Sequence, residues 1–386
     1  MRRVTIALLL MSTVWACAQA PFTIVRPKNG ASVREKVEFR VPKNSVSENS
    51  YLILKIDDQF QYAIARQALG EDTEHLIWAW DTKKEKIADG PHKIELELWE
   101  TAGATTQARL VDRTSVSVTI SNMIQGVPAT GIPLAYKWRP SQILDYHQNY
   151  MIKSITEARR TGTTIADETD LDIRTKIQGV VVDRRPEGFM FSWIPMLPIR
   201  LAIGDSVNYL NEDQLAATYW RVDGTGYNDI GFEVLGQEWY YATFVDLPRI
   251  PKRNYSVGDS WATGFIAVDP TNTQTSLADR IVLATTGTAK LTSFEWERGY
   301  KCARIEITPL MTPPNLSIGG TAFQRVKISR LVWFAYDIGA VIKQETRVEM
   351  ERASREGVGA GAEGSGPAPR RFGGAPASLG GRGGAE

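Results

Sequence analysis

Asp81, Asp89 and His92 lie close together in the stretch WDTKKEKIADGPHKIELELWE, residues 80–100. Carboxylates and imidazoles are the groups that hold metal ions or exchange protons in active sites. A metal site would need a third or fourth ligand with converging geometry, and the lysines between these residues would repel a cation. Aspartate and glycine also serve tight turns, through hydrogen bonds to the backbone and freedom in φ. The sequence therefore predicts a turn between two strands here.

The triplet Gly-Asp-Ser occurs twice, at 204–206 and 258–260. In lipase-like hydrolases known by a Gly-Asp-Ser-Leu motif, this serine is the nucleophile and a later Asp-x-x-His supplies the base. Here the Asp-x-x-His matches, 72–75 and 89–92, both precede the serines, and each triplet is followed by strand-like alternation. A serine without a general base is a weak nucleophile. Both triplets are therefore predicted to be turns that lead into strands.

Other catalytic or metal-binding patterns are sparse. Of three histidines only His147 falls in the larger, C-terminal part, and no HExxH or paired-cysteine motif is present. The densest acidic run, ADETDLD, contains Asp167, Glu168, Asp170 and Asp172. It predicts a solvated loop first and a calcium site second, because hard oxygen ligands suit Ca²⁺. We expect no catalytic residue, no metal and no cofactor.

Aromatic residues are the most suggestive feature of the C-terminal part. Large rings bury much area and are typical of a sheet's packed face, so a core is the first interpretation. The second is a groove for an apolar or sugar ligand, since ligand pockets are lined by aromatics with few polar groups. The candidate groove residues are Trp193, Trp220, Trp239, Tyr241, Trp261 and Trp333.

Composition places the chain among ordinary globular proteins. It has 386 residues, 43% of them hydrophobic and 23% charged, with a formal net charge of +1. No basic stripe with interleaved aromatics is present, so nothing indicates nucleic-acid binding.

The N-terminus, MRRVTIALLLMSTVWACAQA, predicts a signal peptide over residues 1–20, with a basic start, a short apolar run and small residues. Cleavage is expected after the small-x-small sequence ACA. Alternatively, VWAC is similar to a bacterial lipobox, which makes Cys17 a candidate lipidation site and the one predicted attachment to a membrane. Cys302, the other cysteine, is predicted to be buried in a strand. Export without a disulfide scaffold indicates a bacterial periplasm, outer membrane or extracellular location.

Residues 21–122 consist of short alternating runs such as KVEFRV, YLILKI and HKIELELW, which predict a β-sandwich. The opening IVRPKNGASVREKVEFRV, the segment WAWDT, IADGPHKIELELWETAG and the closing SVSVTISN together resemble a bacterial immunoglobulin-like domain. The resemblance covers nearly all of this region. It implies that Trp80 packs inward at the end of a strand, that Asp81 and Thr82 bond to backbone, and that Asp89-Gly90 makes a tight turn. It implies little about function, since such domains are spacers, adhesive modules and substrate positioners.

Residues 123–133 are rich in Pro and Gly and predict a linker. Residues 134–355 alternate again over long runs and predict a large, curved antiparallel sheet with long hairpins, so that the fold class is all-β. Residues 356–386 carry almost no bulky apolar side chain and predict a disordered Gly/Ala/Pro-rich tail.

In the long region, VGDSW (257–261), GYKCARIEI (299–307) and FAYDIGAVIKQETRV (334–348) are similar to segments of exported bacterial half-barrel or clam-like envelope proteins of uncharacterised function. The resemblance implies a half-barrel-like sheet and a lipid, lipoprotein or glycan as partner.

The function expected from the sequence is a non-catalytic, exported cell-envelope protein that binds an apolar ligand or a glycan, or is structural. One alternative is a carbohydrate-active envelope hydrolase with paired carboxylates, because two acids must flank the sugar in such enzymes. Another is a purely architectural assembly unit. The sequence does not distinguish oligomeric states.

Overall fold

The computed structural model describes residues 20–101, 107–160, 163–185, 188–203, 205–210, 218–226, 247–268, 281–309, 315–318 and 321–352. Strands dominate these residues, and their sheets are antiparallel apart from one edge pairing, so the all-β prediction is confirmed. The helical content of the described backbone is two short 3-10 turns. Among the described residues, no helix is long and apolar enough to cross a bilayer. The leader, Cys17 and the tail 356–386 lie outside the described residues.

The first eight strands form a unit that we call the N-terminal sandwich. One sheet has the order β1-β8-β7-β3-β4, in which β1 pairs with β8 in parallel, and the other has the order β2-β6-β5. The strands are β1 Ala31–Val33, β2 Lys36–Pro42, β3 Ser50–Ile56, β4 Gln59–Ala65, β5 Gly70–Glu71, β6 His75–Asp81, β7 Gly90–Glu100 and β8 Arg109–Ile120.

Alternation along the strands builds the core of this sandwich. In YLILKI of β3, Leu52, Leu54 and Ile56 point inward and are buried, because successive side chains of a strand face opposite sides. From the facing sheet, the ring of Phe39 stacks on Trp78 with centroids 4.9 Å apart, and Trp80 is buried beside it. The inward position predicted for Trp80 is confirmed.

The remaining thirteen strands form what we call the two-sheet unit. One sheet has the order β10-β11-β12-β13 with β14 also on β12, another has the order β16-β17-β18-β20-β19 with β21 also on β20, and β15 pairs with β9. The strands are β9 Ile132–Leu134, β10 Ile143–Arg160, β11 Thr163–Arg185, β12 Gly188–Ile203, β13 Ser206–Leu210, β14 Thr218–Val222, β15 Arg253–Tyr255, β16 Ser260–Val268, β17 Ile281–Glu297, β18 Tyr300–Pro309, β19 Asn315–Ile318, β20 Thr321–Ala335 and β21 Ala340–Arg352.

The two large sheets share one core. Phe191 and Trp193 from β12 and Val181 from β11 pack in the same buried cluster as Ile305 of β18 and Phe334 of β20. Residues between these, such as those flanking Phe334, face away from the cluster, as the two-residue period of a strand requires.

The acidic run ADETDLD lies inside β11, so the loop predicted for Asp167, Glu168, Asp170 and Asp172 is wrong. The backbone of this run continues the ladder with β10, pairing Asp167 with Thr156 along the way. Ile165 precedes the run, Leu171 lies within it and Ile173 follows it, all at odd positions. That two-residue period favours a strand, and the density of carboxylates concealed it.

A substitution at Gly179 of β11 tests the packing of the core between the two large sheets. A Cβ atom at this position would overlap the ring carbons of Trp193, which faces it across the ladder. We expect Gly179→Ala to lower the free energy of unfolding by about 1–3 kcal/mol, the usual cost of overpacking, in a urea titration followed by tryptophan fluorescence. The matched control is Gly224→Ala, where a Cβ meets no atom within 4 Å; it should change stability by less than about 0.5 kcal/mol. Equal effects of the two substitutions would contradict the packing described.

Candidate functional site

The stretch of residues 80–100, with Asp81, Asp89 and His92, lies where the two units meet. Asp81 ends β6, and its Oδ1 accepts hydrogen bonds from the backbone N–H groups of Lys83 (3.1 Å) and Lys84 (3.0 Å). Thr82 is buried, and its hydroxyl donates to the backbone oxygen of Glu35 (3.0 Å). The predicted backbone bonds of Asp81 and Thr82 are thus confirmed. This turn also orients Lys83.

Lys83 reaches from the N-terminal sandwich into the two-sheet unit. Its Nζ donates to Glu295 Oε1 (2.7 Å), to Glu297 Oε2 (2.5 Å) and to the backbone oxygen of Trp296 (2.8 Å). Both carboxylates stand on β17, at alternate positions and therefore on the same side of the strand. All three donor positions of the ammonium group are used, which offsets the loss of water around this partly buried lysine.

Further donors complete the surroundings of the two carboxylates. Trp333 Nε1 donates to Glu295 Oε1 (2.7 Å), and Lys343 Nζ lies 3.4 Å from Glu297 Oε1. Burial acts to raise the pKa of Glu295, but the hydrogen bonds from Lys83 and Trp333 outweigh it and hold that pKa below its usual value. Burial likewise acts to lower the pKa of Lys83, and its carboxylate partners raise it on balance. Both groups are therefore charged at neutral pH.

Asp89 fixes the start of the predicted linker. Its carboxylate accepts from the backbone N–H groups of Asn122 (2.9 Å) and Met123 (2.7 Å). The backbone oxygen of Asn122 in turn accepts from Trp296 N–H (2.8 Å), and Ile124 N–H donates to the backbone oxygen of Phe294 (3.0 Å). Residues 122–124 therefore run beside β17, bonded to both units. We call Lys83, Asp89, Asn122, Glu295 and Glu297 the junction.

Two contacts from the start of the sandwich support the junction. Glu35 Oε2 accepts from the backbone N–H of Gly299 (3.0 Å), and the Arg34 guanidinium lies 3.6 Å from the centre of the Trp296 ring. Both partners belong to the β17–β18 hairpin. A cation over an aromatic face adds a stabilising electrostatic contact.

His92 holds the other end of the same turn. Its Nδ1 lies 2.7 Å from Asp57 Oδ2, and its Nε2 lies 2.8 Å from the backbone oxygen of Ala88. The backbone N–H of Lys93 donates to the Asp57 carboxylate and lowers its pKa. Both ring nitrogens thus lie within hydrogen-bond distance of an oxygen. The carboxylates and imidazole of the opening stretch serve the turn, each through a separate partner.

The structure places three of the candidate groove residues in buried clusters. Trp193 and Trp261 are both buried in the core of the two-sheet unit, and Trp333 lies in a different cluster with Cys302 and Ala335, next to Glu295. Trp220 stands on β14, paired with Phe191 through the backbone; Trp239 and Tyr241 lie outside the described residues.

The other candidate nucleophiles and bases have structural surroundings. Ser206 and Ser260 each open a strand, as predicted, and Asp259 accepts a hydrogen bond from the backbone N–H of Ser256. Cys302 is buried in β18, also as predicted, and burial raises the pKa of its thiol. His147 is exposed on β10.

Sequence reasoning missed Lys83, Glu295 and Glu297 as partners, since it treated the lysines of the turn only as groups that repel a cation. The sequence signal for Glu295 and Glu297 was their alternate spacing in SFEWE, which puts both carboxylates on one face of a strand, where they can share a cation. Their partner, Lys83, lies more than two hundred positions earlier in the chain. A local hydrophobic period does not predict a contact between residues so far apart in sequence.

Comparison with protein-family models, with curated proteins and with solved structures finds no match to this chain.

Replacing Lys83 tests the junction. In Lys83→Met, Glu295 and Glu297 would keep their burial and lose their main cation, so we expect a loss of about 2–4 kcal/mol in the free energy of unfolding, as for other broken buried pairs. The matched control is Lys84→Met, because Lys84 is exposed on the same turn; it should change stability by less than about 0.5 kcal/mol. Urea titration measures the free energy of unfolding of both variants. A loss in Lys83→Met as small as that in Lys84→Met would contradict the role of the ion pair.

Acid should remove the difference between wild type and Lys83→Met. The pKa of Glu295 is below its ordinary 4.5 in the folded protein, so its contribution is present above that pH and is lost as the pH falls through the folded value. Lys83 has a raised pKa, so its contribution is lost only as the pH rises beyond 10.5. Urea titrations from pH 7 to pH 3 should show the stability gap narrowing below about pH 4. A gap that stays constant over this range would contradict the assignment.

Proposed function

We propose that this chain is a non-catalytic exported protein of a bacterial cell envelope that binds an apolar ligand or a glycan. In this proposal the N-terminal sandwich is an immunoglobulin-like docking module, and the junction holds it in a fixed orientation on the two-sheet unit. Export rests on the predicted signal peptide, and the binding role rests on the aromatic content of the chain.

The observation that carries the proposal is the state of the buried carboxylates. Four glutamates are buried in the described part of the chain, and each has a lysine partner: Glu95 with Lys93, Glu97 with Lys55, and Glu295 and Glu297 with Lys83. Lysine partners favour the ionised form, and the pKa of Glu97 and of Glu295 is lowered. A glycosidase acid needs a raised pKa to donate its proton at neutral pH. Glu97 and Glu295 therefore do not suit the role of proton donor that the hydrolase alternative requires.

Native mass spectrometry of the mature protein, purified gently from the envelope fraction of an expressing bacterium, tests this function. The expected result is an additional mass of a lipid or a glycan that is lost on denaturation. Cys17→Ser is the control: it removes any covalently attached acyl mass and should leave the non-covalent ligand in place. A bare protein mass, or release of sugar ends from envelope polysaccharide by the purified protein, would contradict the proposal.

A further inference from the structure

The strand β4 lies at one edge of the five-stranded sheet in the N-terminal sandwich. In the part of the chain that the structure describes, β4 is paired with β3 on one side and with no strand on the other. An edge strand presents backbone N–H and C=O groups to a further strand, so proteins usually protect a long edge with charged side chains, proline or a covering segment. The sequence of β4, QFQYAIA, contains neither a charged residue nor a proline. We call the free side of β4 the open edge.

The other edge strands of seven residues or more in the described chain, β2, β10, β16 and β21, are protected. Charged side chains interrupt β2, β10 and β21. The strand β16 has no charged side chain, but the segment before it is bonded to it. Arg249 N–H donates to Thr263 Oγ1 (2.8 Å), and Trp261 Nε1 donates to the backbone oxygen of Arg249 (2.6 Å). In the described chain β4 has neither kind of protection.

The register of β3 shows which backbone groups of β4 are unpaired. Asp57, directly after β3, donates its N–H to the backbone oxygen of Lys93 on β7 (2.9 Å). Residues along an antiparallel strand direct their backbone groups to alternate sides, so the odd-numbered residues of β3 bond to β7 and the even-numbered ones to β4.

On β4, Tyr62 and Ile64 stand opposite even-numbered residues of β3 and use their backbone groups on that side. Ala63 and Ala65 therefore direct their N–H and C=O groups away from β3, toward the open edge. Both alanines are exposed, so no large side chain shields these groups.

The core side of the open edge is incompletely covered. Tyr62 and Ile64 lie on the same side of the sheet as Leu52 and Leu54 of β3, which are completely buried. Tyr62 and Ile64 pack against the same core and are only partly buried. A further strand beside β4 would remove more of these two side chains from water.

The residues of the open edge are complementary to themselves. When two copies run antiparallel about a two-fold axis at Ala63, the two alanines stand opposite each other, and each donates its N–H to the other's C=O. Tyr62 of each copy then stands opposite Ile64 of the other, and an aromatic side chain beside a β-branched one is a favourable cross-strand pair. A charged residue at the axis would face its own like charge, and β4 contains none.

The charged groups at both ends of β4 have partners within the chain. Lys93 Nζ donates to Asp58 Oδ1 (2.9 Å) before β4 begins, and Arg66 Nη2 donates to Glu71 Oε2 (3.0 Å) after it ends. Glu48 also lies 3.8 Å from Arg66. Each of these flanking charges thus has an opposite charge beside it before a second copy arrives.

We propose that the open edge of β4 pairs with the open edge of a second copy of this chain, antiparallel and about a two-fold axis at Ala63, so that the two five-stranded sheets join into one. A register shift leaves Gln61 without a partner on β3 and limits the regular part of the edge to residues 62–65, so the contact is small and the dimer reversible. An edge that stays solvated because this bulge twists it is the competing explanation. The inference does not depend on the ligand of the proposed function.

Sedimentation velocity of the mature chain from micromolar to millimolar concentration tests the proposal. Wild type should change from monomer to dimer over this range. Ala63→Lys and Ala63→Glu should each raise the Kd of the dimer at least about tenfold, because like charges would stand opposite each other at the axis. An equimolar mixture of the two variants should form the dimer again, because opposite charges then meet. The matched control is Ala79→Lys, at an exposed alanine of β6, which should leave Kd unchanged.

Hydrogen exchange gives a second measurement that needs no variant. The peptide that covers β4 should exchange more slowly as the protein concentration rises, because the N–H groups of Ala63 and Ala65 become bonded. The peptide that covers β6 should exchange at one rate at all concentrations. Circular dichroism checks that each substituted chain is folded.

A wild-type chain that stays monomeric up to millimolar concentration would overturn the proposal and would leave the open edge to an extended segment of a different protein. A dimer that Ala63→Lys leaves unchanged would also overturn it, because the contact would then lie elsewhere. A mixture of the two Ala63 variants that remains monomeric would overturn it as well, since the substitutions would then act on the strand and not on a contact between copies.

Discussion

The ammonium group of Lys83 lies between Glu295 and Glu297, where the N-terminal sandwich meets the two-sheet unit. In water the attraction between two opposite charges at 4 Å is only about 1 kcal/mol, and near a protein surface it rises to about 4 kcal/mol. Removing the charges from water opposes this gain, so the pair contributes less to total stability than its contacts suggest. Its larger effect is on orientation, because any other arrangement of the two units would break the hydrogen bonds from Lys83 to Glu295, Trp296 and Glu297.

The rest of the junction follows from the same turn. Asp81 orients the turn, Lys83 leaves it toward β17, and Asp89 closes it by holding the backbone of residues 122 and 123. A segment that reads as a flexible Pro/Gly-rich linker thus begins bonded to both units.

Local patterns predicted much of this fold and few of its long-range contacts. The alternation in YLILKI and HKIELELW correctly assigned β3 and β7, since a two-residue period is the direct expression of a half-buried strand. The turn between β6 and β7 and the burial of Cys302 followed from residue type, although the turn spans residues 82–86 and not the predicted Asp89-Gly90, because Gly90 already begins β7. The acidic run of β11 was wrongly predicted to be a loop, because its many carboxylates were given more importance than the two-residue period of its apolar residues. Alternation also shows that Trp99 faces away from Leu98, but only the register of β3 shows that Tyr51 lies beside it.

Differential scanning calorimetry of the mature wild-type chain at neutral pH tests most directly whether the junction unites the two units. The account predicts one cooperative transition, whose calorimetric enthalpy equals the van't Hoff enthalpy, because unfolding of either unit would break the ion pair and the backbone hydrogen bonds that join it to the other. Two separate transitions, with the first leaving the second core intact, would show that the units are independent and would contradict the account.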